Sequence, residues 1–579
     1  MVTTLVAGLA LTACTANPPP PVESTDSPKP TTAVTTKNTV VVGIDDVGLG
    51  FNPHLLADQS PVNAAVTSLV LPSPFRPVLD PARPGVTDWV ADPSVLVSAA
   101  LVPPTPEAPS SIVYQLRNEA QWSDGAPIAA EDFRYLWRQM TSQPGVVDPA
   151  GYGLIEDIES SGGGKTVTVQ LSAPYPAWRE LFTDLVPSHL LKDSPGGFAR
   201  GLLDGIPVSG GRFHIKSVDR GRDEILLERN DRFWDTPAEP DQILMRRGGS
   251  SAQLADSMRS GDTQVARVHG GVSTLAQLSA IPAVRTGTEL QPRVLSVALN
   301  GREASLSNVL VRKGLLGLLD AHLLAMVGAG TESAVVPARA QVLSPSDPGY
   351  APTNPPALTR EQALVVLADA GYHTAPSDSG NVEPETATDG RLMRDGEQLT
   401  LVLGAPENDD TAIAVANTVA DQWRGAGIEA SVRALRAEDL YGAALASGRV
   451  DAIVGWERAG SDPATSLASR FGCVPVAAPA ATPAPEAGDP PVLRAPSNVS
   501  GLCDPALQSG IDAALRGEAD VAHVIADAEP RLWELAAVLP VLQDNTIVAT
   551  GPGVDGVAPA GPVQVGLFAD AAVWTRTSK

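Results

Sequence analysis

The sequence predicts a mixed α/β fold that is divided between two or more domains. A chain of 579 residues is too long for one hydrophobic core, because folded chains longer than roughly 250–300 residues split into domains. Helical and strand-like patterns alternate from residue 359 to residue 456, as they do in βαβ crossovers with a partly parallel sheet.

The first half of the chain combines strand patterns with short helical segments. The β-branched run 39–44 predicts a buried strand, residues 63–71 a helix, and the alternating run 111–116 a further strand. Asp124-Gly125 favours a tight turn, and a helix with acidic residues in its first turn is predicted from residue 129 through residue 137. These segments predict a strand–turn–helix unit.

A glycine-rich segment at 160–166 is similar to the end of a phosphate-binding loop. Glu159 occupies the position that the first glycine of such a loop requires, so the motif is incomplete. The flanking strand patterns, 155–159 and 167–171, instead predict a β-hairpin.

The second half of the chain continues the alternation. The predicted strands are 265–268, 294–300, 399–403, 428–432 and 450–456, and the predicted helices are 309–324, 359–372 and 412–423. Two long insertions, near 374–390 and 474–496, are predicted to be surface loops.

The composition excludes some classes of function. Acidic residues outnumber basic ones by 66 to 41, and the resulting net charge of −25 opposes attachment to nucleic acid or to an anionic lipid surface. We therefore expect no nucleic-acid partner.

The N-terminal residues predict export and lipid anchoring. The apolar run 5–11 leads into Leu11-Thr12-Ala13-Cys14, which is typical of a lipoprotein signal peptide over 1–14 with acylation at Cys14. The run is too short to span a hydrocarbon layer of about 30 Å, so anchoring at the outer face of the cytoplasmic membrane is predicted. The Pro/Thr-rich segment 15–38 predicts an extended tether, and no later apolar run is long enough for a transmembrane helix.

Two cysteines remain once Cys14 is acylated. Cys473 and Cys503 form an even pair that suits one disulfide in an oxidising compartment, and two buried free thiols are the alternative.

Several short motifs in chain order carry a family resemblance. They include Trp122-Ser123-Asp124-Gly125, Tyr175-Pro176-Ala177-Trp178, Ser209-Gly210-Gly211-Arg212-Phe213, Asn230-Asp231-Arg232-Phe233-Trp234, Ala370-Gly371-Tyr372, Gly455-Trp456 and Asp462-Pro463. Together they resemble the extracellular solute-binding proteins of the oligopeptide- and dipeptide-binding type. The resemblance implies that Trp122 and Trp234 pack in cores, with contact to a ligand as the alternative, and that Asn230 caps a helix or hydrogen-bonds backbone.

The resemblance also implies a two-lobed periplasmic-binding-protein-like fold with an extra subdomain on the first lobe. Two crossing strands join the lobes, and hinge closure traps solute in the cleft between them. The implied bounds are 39–58, 185–290 and 531–579 for the first lobe, 59–184 for the extra subdomain and 291–530 for the second lobe.

The ligand site is expected after the strand 450–456, because ligands of open α/β sheets lie beyond the carboxyl ends of strands. The candidate ligand-binding residues are Trp456, Glu457, Arg458, Ser461 and Asp462. Trp456 can stack on a sugar face, and Arg458 is the candidate for a phosphate. The alternatives are a core position for Trp456 and a solvated loop edge for Glu457 and Arg458.

One position departs from the peptide-binding pattern. The resemblance places an aspartate that pairs with a peptide's amino terminus at position 459, but this chain has Ala459. A buried ammonium without that partner would cost several kcal/mol. Glu457 or Asp462 could substitute for the missing carboxylate.

The altered site, the tether and the Ala/Pro-rich composition resemble those of a mycobacterial lipoprotein branch of the family. That resemblance implies an acylated phosphatidylinositol tetramannoside as ligand, and regulation of phosphatidylinositol mannoside and lipoarabinomannan biosynthesis with membrane enzymes as partners. The alternative is a solute-binding protein that delivers peptides or another solute to an ABC permease.

The histidines are scattered and have no metal-binding spacing, so neither a metal nor a cofactor is expected. A non-local catalytic triad stays open, but we expect a monomeric binding protein and not an enzyme.

Overall fold

The structure is a computed structural model that describes residues 38–80, 87–105, 109–375, 390–473, 497–557 and 563–576. The predicted signal peptide with Cys14 and the tether up to residue 37 lie outside the described residues. So do the insertion 474–496 and most of the insertion 374–390.

The strands of the described chain are, in order, β1 Thr39–Ile44, β2 Phe75–Leu79, β3 Thr87–Ala91, β4 Leu96–Val102, β5 Ser110–Leu116, β6 Ile155–Ser161, β7 Thr166–Leu171, β8 Phe213–Asp219, β9 Glu224–Arg229, β10 Gln242–Arg247, β11 Val265–Val268, β12 Arg285–Leu299, β13 His373–Ala375, β14 Arg391–Arg394, β15 Glu397–Gln398, β16 Thr400–Pro406, β17 Glu429–Leu435, β18 Ala452–Arg458, β19 Val538–Thr550, β20 Val554–Asp555 and β21 Thr575–Arg576.

The α-helices are α1 Pro61–Val70, α2 Ala130–Ser142, α3 Ser188–Leu191, α4 Gly197–Arg200, α5 Ser251–Ser260, α6 Val272–Ser279, α7 Val309–Gly317, α8 Ala321–Ala329, α9 Arg360–Asp369, α10 Asp410–Arg424, α11 Pro463–Phe471, α12 Gln508–Leu515 and α13 Val521–Leu535. Shorter helical turns include Leu56–Asp58, Pro149–Leu154, Trp178–Glu180 and Asp439–Ala444.

A ten-stranded mixed sheet runs through both halves of the molecule in the order β17-β16-β18-β12-β19-β11-β1-β10-β9-β8. Parallel pairs join β1 to β10 and β16 to β17, and antiparallel pairs join β12 to β18 and to β19. A separate four-stranded sheet, β4-β5-β7-β6, carries the hairpin predicted at 155–171.

The two long central strands, β12 and β19, connect two separate hydrophobic cores. Leu295, Val297 and Leu299 of β12 belong to a core with Trp423, while Val548 of β19 belongs to a core that extends to the C-terminal residues. The register between β12 and β19 breaks between Leu290 and Val294, where Pro292 cannot donate a ladder hydrogen bond. This architecture is the predicted two-lobed periplasmic-binding-protein-like fold, and the residue bounds of the lobes stay a prediction.

A chain of charged side chains crosses the sheet next to that break, and we call it the crossing-strand network. Asp544 of β19 lies 2.7 Å from Nε of Arg293 and 2.7 Å from Nε2 of His269, whose Nδ1 lies 2.7 Å from Asp45. Arg293 in turn lies over the ring of Trp456, with 3.9 Å between Cζ and the ring centre. The network therefore links β1 and the end of β11 to both crossing strands and to β18.

The charges of this network depend on one another. Burial disfavours the charged carboxylate of Asp544, but Arg293 and His269 hold its pKa well below the usual value. Burial likewise disfavours protonated His269, yet the carboxylates of Asp544 and Asp45 raise its pKa to about 10. At neutral pH the Asp544 carboxylate and the His269 imidazolium are therefore both charged and paired with each other.

Two predictions from sequence differ in detail from the structure. The helix predicted over 309–324 is two helices, α7 and α8, because the Asp320 carboxylate accepts hydrogen bonds from the backbone N–H of His322 and Leu323 and begins a new helix. The strand predicted over 450–456 is shifted, since β18 runs from Ala452 to Arg458.

Other predictions from sequence are confirmed. Lys165 of the incomplete phosphate-loop motif donates to the carbonyls of Ala120 and Ile128, which is a structural role. Trp122 is fully buried, and the Asn230 amide donates to the Gly211 carbonyl at 2.9 Å. Cys473 and Cys503 form a disulfide with Cα atoms 5.2 Å apart.

We expect the substitution Asp544→Asn to lower the free energy of unfolding by about 3–5 kcal/mol, because buried Arg293 would lose its ion-pair partner. Chemical denaturation followed by tryptophan fluorescence measures the change. The control Asp256→Asn removes an exposed pair with Arg259 and should cost less than about 1 kcal/mol. Equal losses of stability in the two variants would contradict the prediction that the buried Arg293–Asp544 pair contributes more to stability than an exposed pair.

The protonated state of His269 predicts a pH dependence. Its folded-state pKa of about 10 lies above the ordinary value of 6.5, so its stabilising contribution is complete below about pH 6.5 and is lost as the pH rises to about 10. We expect His269→Gln to flatten the loss of stability between pH 7 and pH 10, measured by denaturation at each pH. The exposed His523→Gln is the control, and a wild-type slope in His269→Gln would refute the prediction.

Candidate functional site

A cavity lies between β12, the end of β18, α1, the β2–β3 hairpin and the C-terminal segment, and we call it the interlobe cavity. Its volume is about 1030 Å³ with its open mouth included. The polar lining residues that bear on the argument below are Gln59, Asn63, Arg76, Asp184, Arg267, Glu289, Gln291, Arg293, Arg458 and Gln564, and the aromatic ones are Trp89 and Phe568. Both halves of the central sheet therefore contribute to one site.

Arginines dominate the charge of the cavity. Arg293 and Arg458 stand opposite each other in the antiparallel pairing of β12 with β18. Arg293 is neutralised by Asp544, and Arg267 lies 4.8 Å over the Phe568 ring. Arg458, in contrast, is half-buried and its guanidinium makes no hydrogen bond or ion pair with any described residue. Among the arginines of this lining, Arg458 and Arg267 have no ion pair with a described residue, and Arg458 is the less buried of the two.

Glu180 interacts electrostatically with Arg458, but it is mostly uncharged near pH 7. Burial and the neighbouring Asp462 raise the pKa of Glu180 to about 8, although Arg458 itself acts to lower it. Glu180 also accepts a hydrogen bond of 3.2 Å from the Asp462 backbone N–H. Near pH 7 Glu180 is therefore mostly the uncharged acid.

Two cavity residues keep unsatisfied polar atoms. The Nε of Arg267 and the Oε1 of Glu289 are buried and have no hydrogen-bond partner among the described residues. The other oxygen of Glu289 accepts from the Gln291 amide at 3.1 Å. A donor and an acceptor of this kind suit a hydroxyl group, which both accepts and donates.

One aromatic side chain offers the cavity a partly exposed face. Trp89 pairs with Pro77 across the β2–β3 hairpin, and both line the cavity. Phe568 is almost fully buried beneath Arg267. Trp89 is thus the ring that is available to stack on a flat apolar ligand surface, such as a sugar face.

Hydrogen bonds join α11 to segments that lie far from it in the first half of the chain. The Tyr175 hydroxyl lies 2.8 Å from the Thr465 hydroxyl, and the Ala150 N–H donates to the Ser469 hydroxyl at 3.0 Å. Asp462 meets Glu180 in the same region. These contacts join the segments that contain Ala150, Tyr175 and Glu180 to α11 and to the residue that caps it.

The residues predicted from sequence are divided between the cavity and its support. Arg458 lines the cavity. Trp456 is buried in the core and donates to Asp409 at 2.9 Å, and Glu457 lies 3.4 Å from Arg470 in an ion pair. Asp462 caps α11 by accepting from the Thr465 N–H at 2.9 Å.

Two further positions of the same loop complete this comparison. Ser461 is partly exposed and does not line the interlobe cavity. Ala459 lines the cavity and packs with Val294 and Ala338, so the position of the expected carboxylate is apolar.

Sequence reasoning missed Arg267, Arg293, Trp89 and Gln564. Arg267 lies in a short strand whose other residues are apolar, so the pattern predicts a core strand. Arg293 directly follows Pro292, and a proline within a strand is a sequence signal for the register break seen in the structure. Gln564 donates to the Gly460 carbonyl from a segment 104 residues away, a contact that no local pattern encodes.

Within the described ranges, no group of three or more His, Cys, Asp and Glu side chains is arranged to hold a metal ion. No helix of the described part of the chain is both long enough and apolar enough to cross a bilayer.

Comparisons with known proteins agree with this geometry. The model of the bacterial extracellular solute-binding proteins, family 5 Middle, matches residues 106–477. A Mycobacterium tuberculosis (strain CDC 1551 / Oshkosh) protein named "Probable monoacyl phosphatidylinositol tetramannoside-binding protein LpqW" is 50% identical, over 99% of this chain and 97% of its own length. The oligopeptide-binding protein OppA of Mycobacterium bovis is 30% identical over 42% of each chain.

Solved structures show the same fold. The oligopeptide-binding protein AppA of Bacillus subtilis, in complex with a nonapeptide, superposes with a TM-score of 0.67 at 14% identity and covers 94% of this chain and 100% of its own. The periplasmic EDTA-binding protein EppA gives a TM-score of 0.64 at 21% identity, over 94% and 97% of the two chains. The chain belongs to the bacterial extracellular solute-binding proteins of family 5.

Proposed function

We propose that this protein binds the mannosylated head group of an acylated phosphatidylinositol mannoside in the interlobe cavity. The observation that carries the proposal is the Arg458 guanidinium, which lines the cavity without an ion-pair partner among the described residues. A phosphodiester supplies a single negative charge with several acceptor oxygens, which a guanidinium matches in geometry.

The rest of the cavity supports a sugar-rich ligand. Gln59, Asn63 and Gln564 add amide groups to the lining, and Arg267 and Glu289 carry unsatisfied polar atoms. Mannose rings present hydroxyls for these groups and an apolar face for Trp89. The four sugars of a tetramannoside would use polar groups on both halves of the cavity.

The identity of position 459 argues against ordinary peptide capture. Ala459 supplies no carboxylate, and Glu457 and Asp462 are engaged by Arg470 and by the start of α11. A peptide's amino terminus at this point would therefore be an unpaired buried charge.

The proposed biological role follows the relative named as a monoacyl phosphatidylinositol tetramannoside-binding protein. We propose that the chain is exported, anchored by acyl groups on Cys14, and acts as a monomer at the outer face of the membrane. There, occupancy of the cavity would regulate phosphatidylinositol mannoside and lipoarabinomannan biosynthesis through membrane enzymes, without catalysis by this chain.

A second candidate function is delivery of peptides or another solute to an ABC permease. Asp184 and Glu289 line the cavity and can meet a ligand's ammonium group, and oligopeptide-binding proteins are among the relatives. The two candidates differ in the charge of the ligand they require.

Isothermal titration of the purified full chain separates these candidates. We expect a purified acylated phosphatidylinositol tetramannoside to bind with a Kd in the micromolar range or below, and tri- to pentapeptides to give no heat of binding. Peptide binding in that range without any response to the mannoside would refute the proposed function in favour of the second candidate.

We expect Arg458→Gln to weaken mannoside binding by about 1.5–3 kcal/mol, or roughly 10- to 150-fold, because a charge-assisted hydrogen bond to phosphate is lost. The matched control is Arg433→Gln, at an exposed arginine of β17 that does not line the interlobe cavity. A dephosphorylated tetramannoside should bind wild type and Arg458→Gln alike. A loss of equal size for both ligands would mean that Arg458 supports the fold and does not read the phosphate.

A further inference from the structure

Arg458, on which the proposed function depends, precedes a peptide group that is held at both of its polar atoms. Arg458 is the last residue of β18, and its carbonyl accepts a hydrogen bond from the Arg470 guanidinium in α11. The N–H of the same peptide group, on Ala459, donates to the Pro292 carbonyl at 2.9 Å. The peptide group is planar and β18 pairs with β12 up to Arg458, so these bonds fix the direction in which the Arg458 side chain leaves the strand.

Arg470 is itself held by carboxylates from two distant segments. Its Nη1 lies 3.4 Å from Glu457, the neighbour of Arg458 on β18, and its Nε lies 3.6 Å from Asp148, which follows α2. A guanidinium presents five donors in a planar fork, so one side chain can meet two carboxylates and a carbonyl together. Arg470 thus ties the end of β18 to the segment that contains Asp148.

Asp148 is held in an unusual way that depends on Arg470. Its φ of 42° lies in the left-handed region, which residues other than glycine seldom adopt unless their surroundings impose it. One carboxylate oxygen faces Arg470, and the other is buried without a hydrogen-bond partner among the described residues. Two residues later, the Ala150 N–H donates to the Ser469 hydroxyl, beside Arg470 on α11. The segment therefore meets α11 at two successive residues.

The charge of Arg470 is not offered to the ligand. Arg470 does not line the interlobe cavity, and its guanidinium is compensated by Asp148 and Glu457. Any influence of Arg470 on a ligand in the cavity must therefore pass through the residue whose carbonyl it holds, Arg458.

We propose that Arg470 is a positioning residue for phosphate recognition: it holds the Arg458 carbonyl so that the Arg458 guanidinium meets the ligand's phosphate, and Asp148 keeps Arg470 in place. This inference rests on the proposed function. A guanidinium binds a phosphate through a planar fork of donors, so its contribution depends on its orientation. Without the hydrogen bond from Arg470, Arg458 would keep its charge but lose a fixed direction, and the contacts to the sugars would remain.

The test uses two soluble probes that differ in the phosphate. The first is glycerophosphoinositol tetramannoside, made by mild alkaline deacylation of the purified lipid. The second is the inositol tetramannoside that remains after its phosphodiester is cleaved. Isothermal titration of the full chain with each probe gives the preference for phosphate as a ratio of two Kd values.

Two variants and one control are compared with wild type. Arg470→Lys keeps a positive charge for the two carboxylates, but a single ammonium lacks the fork that also reaches the Arg458 carbonyl. Asp148→Asn keeps Arg470 and removes the carboxylate that holds it from the first half of the chain. Arg531→Lys, at a half-exposed arginine of α13 with an ion pair of its own, is the matched control. Circular dichroism and thermal melting show whether each variant is folded, and Asp148→Asn decides alone if Arg470→Lys does not fold.

We expect wild type and Arg531→Lys to bind the phosphate-bearing probe about tenfold or more tightly than the phosphate-free one, since a charge-assisted hydrogen bond is made only to the first. Arg470→Lys should reduce that ratio to about threefold or less and keep the wild-type affinity for the phosphate-free probe within about twofold, and Asp148→Asn should reduce the ratio in part.

An unchanged ratio in the folded variants, or an equal loss of affinity for both probes, would overturn the positioning role while head-group binding stands. Equal binding of the two probes by wild type would overturn it too, because no phosphate would then be read. If wild type bound neither probe, the proposed function would be refuted, and the inference with it.

Discussion

The ion pair between Arg293 and Asp544 is the interaction on which the arrangement of the two lobes depends. Each residue stands on a different crossing strand, and the 2.7 Å contact bridges the place where the register of β12 and β19 breaks. Asp544 extends the link to His269 and the first lobe, and Arg293 extends it to Trp456 and the second. Without the pair, the strands would leave two charges uncompensated in the interior.

The same network decides which charge the cavity can offer. Arg293 lines the cavity, but its guanidinium is already shared between Asp544, the Gln59 carbonyl and the Trp456 ring. Its pairing partner across the sheet, Arg458, points to the same face and has no such commitment. Arg293 therefore stabilises the crossing strands, whereas Arg458 has no ion pair with a described residue.

Sequence reasoning found the fold but only one member of the cavity among its five candidate residues. Strands, helices and the family motifs are local patterns, and they predicted the two-lobed architecture. For Trp456 the sequence allowed either a core position or a position in the ligand site. The side chain lies in the core, where its indole N–H donates to the Asp409 carboxylate. Arg267, Trp89 and Gln564 come together only through tertiary contacts between distant segments, so no spacing along the chain signals them.

The balance of charge inside the cavity runs opposite to that of the whole chain. The protein carries a net charge of −25, so its outer field repels anions over distances longer than a Debye length. The cavity lining holds four arginines, Arg76, Arg267, Arg293 and Arg458, against two acids, Asp184 and Glu289. Outside the lining, the raised pKa of Glu180 keeps that acid mostly neutral near pH 7. An anion that reaches Arg458 therefore meets a local attraction in a low-dielectric space, where it is stronger than the screened repulsion outside. For the proposed phosphate-bearing ligand, selectivity would then come from the site and not from steering by the surface.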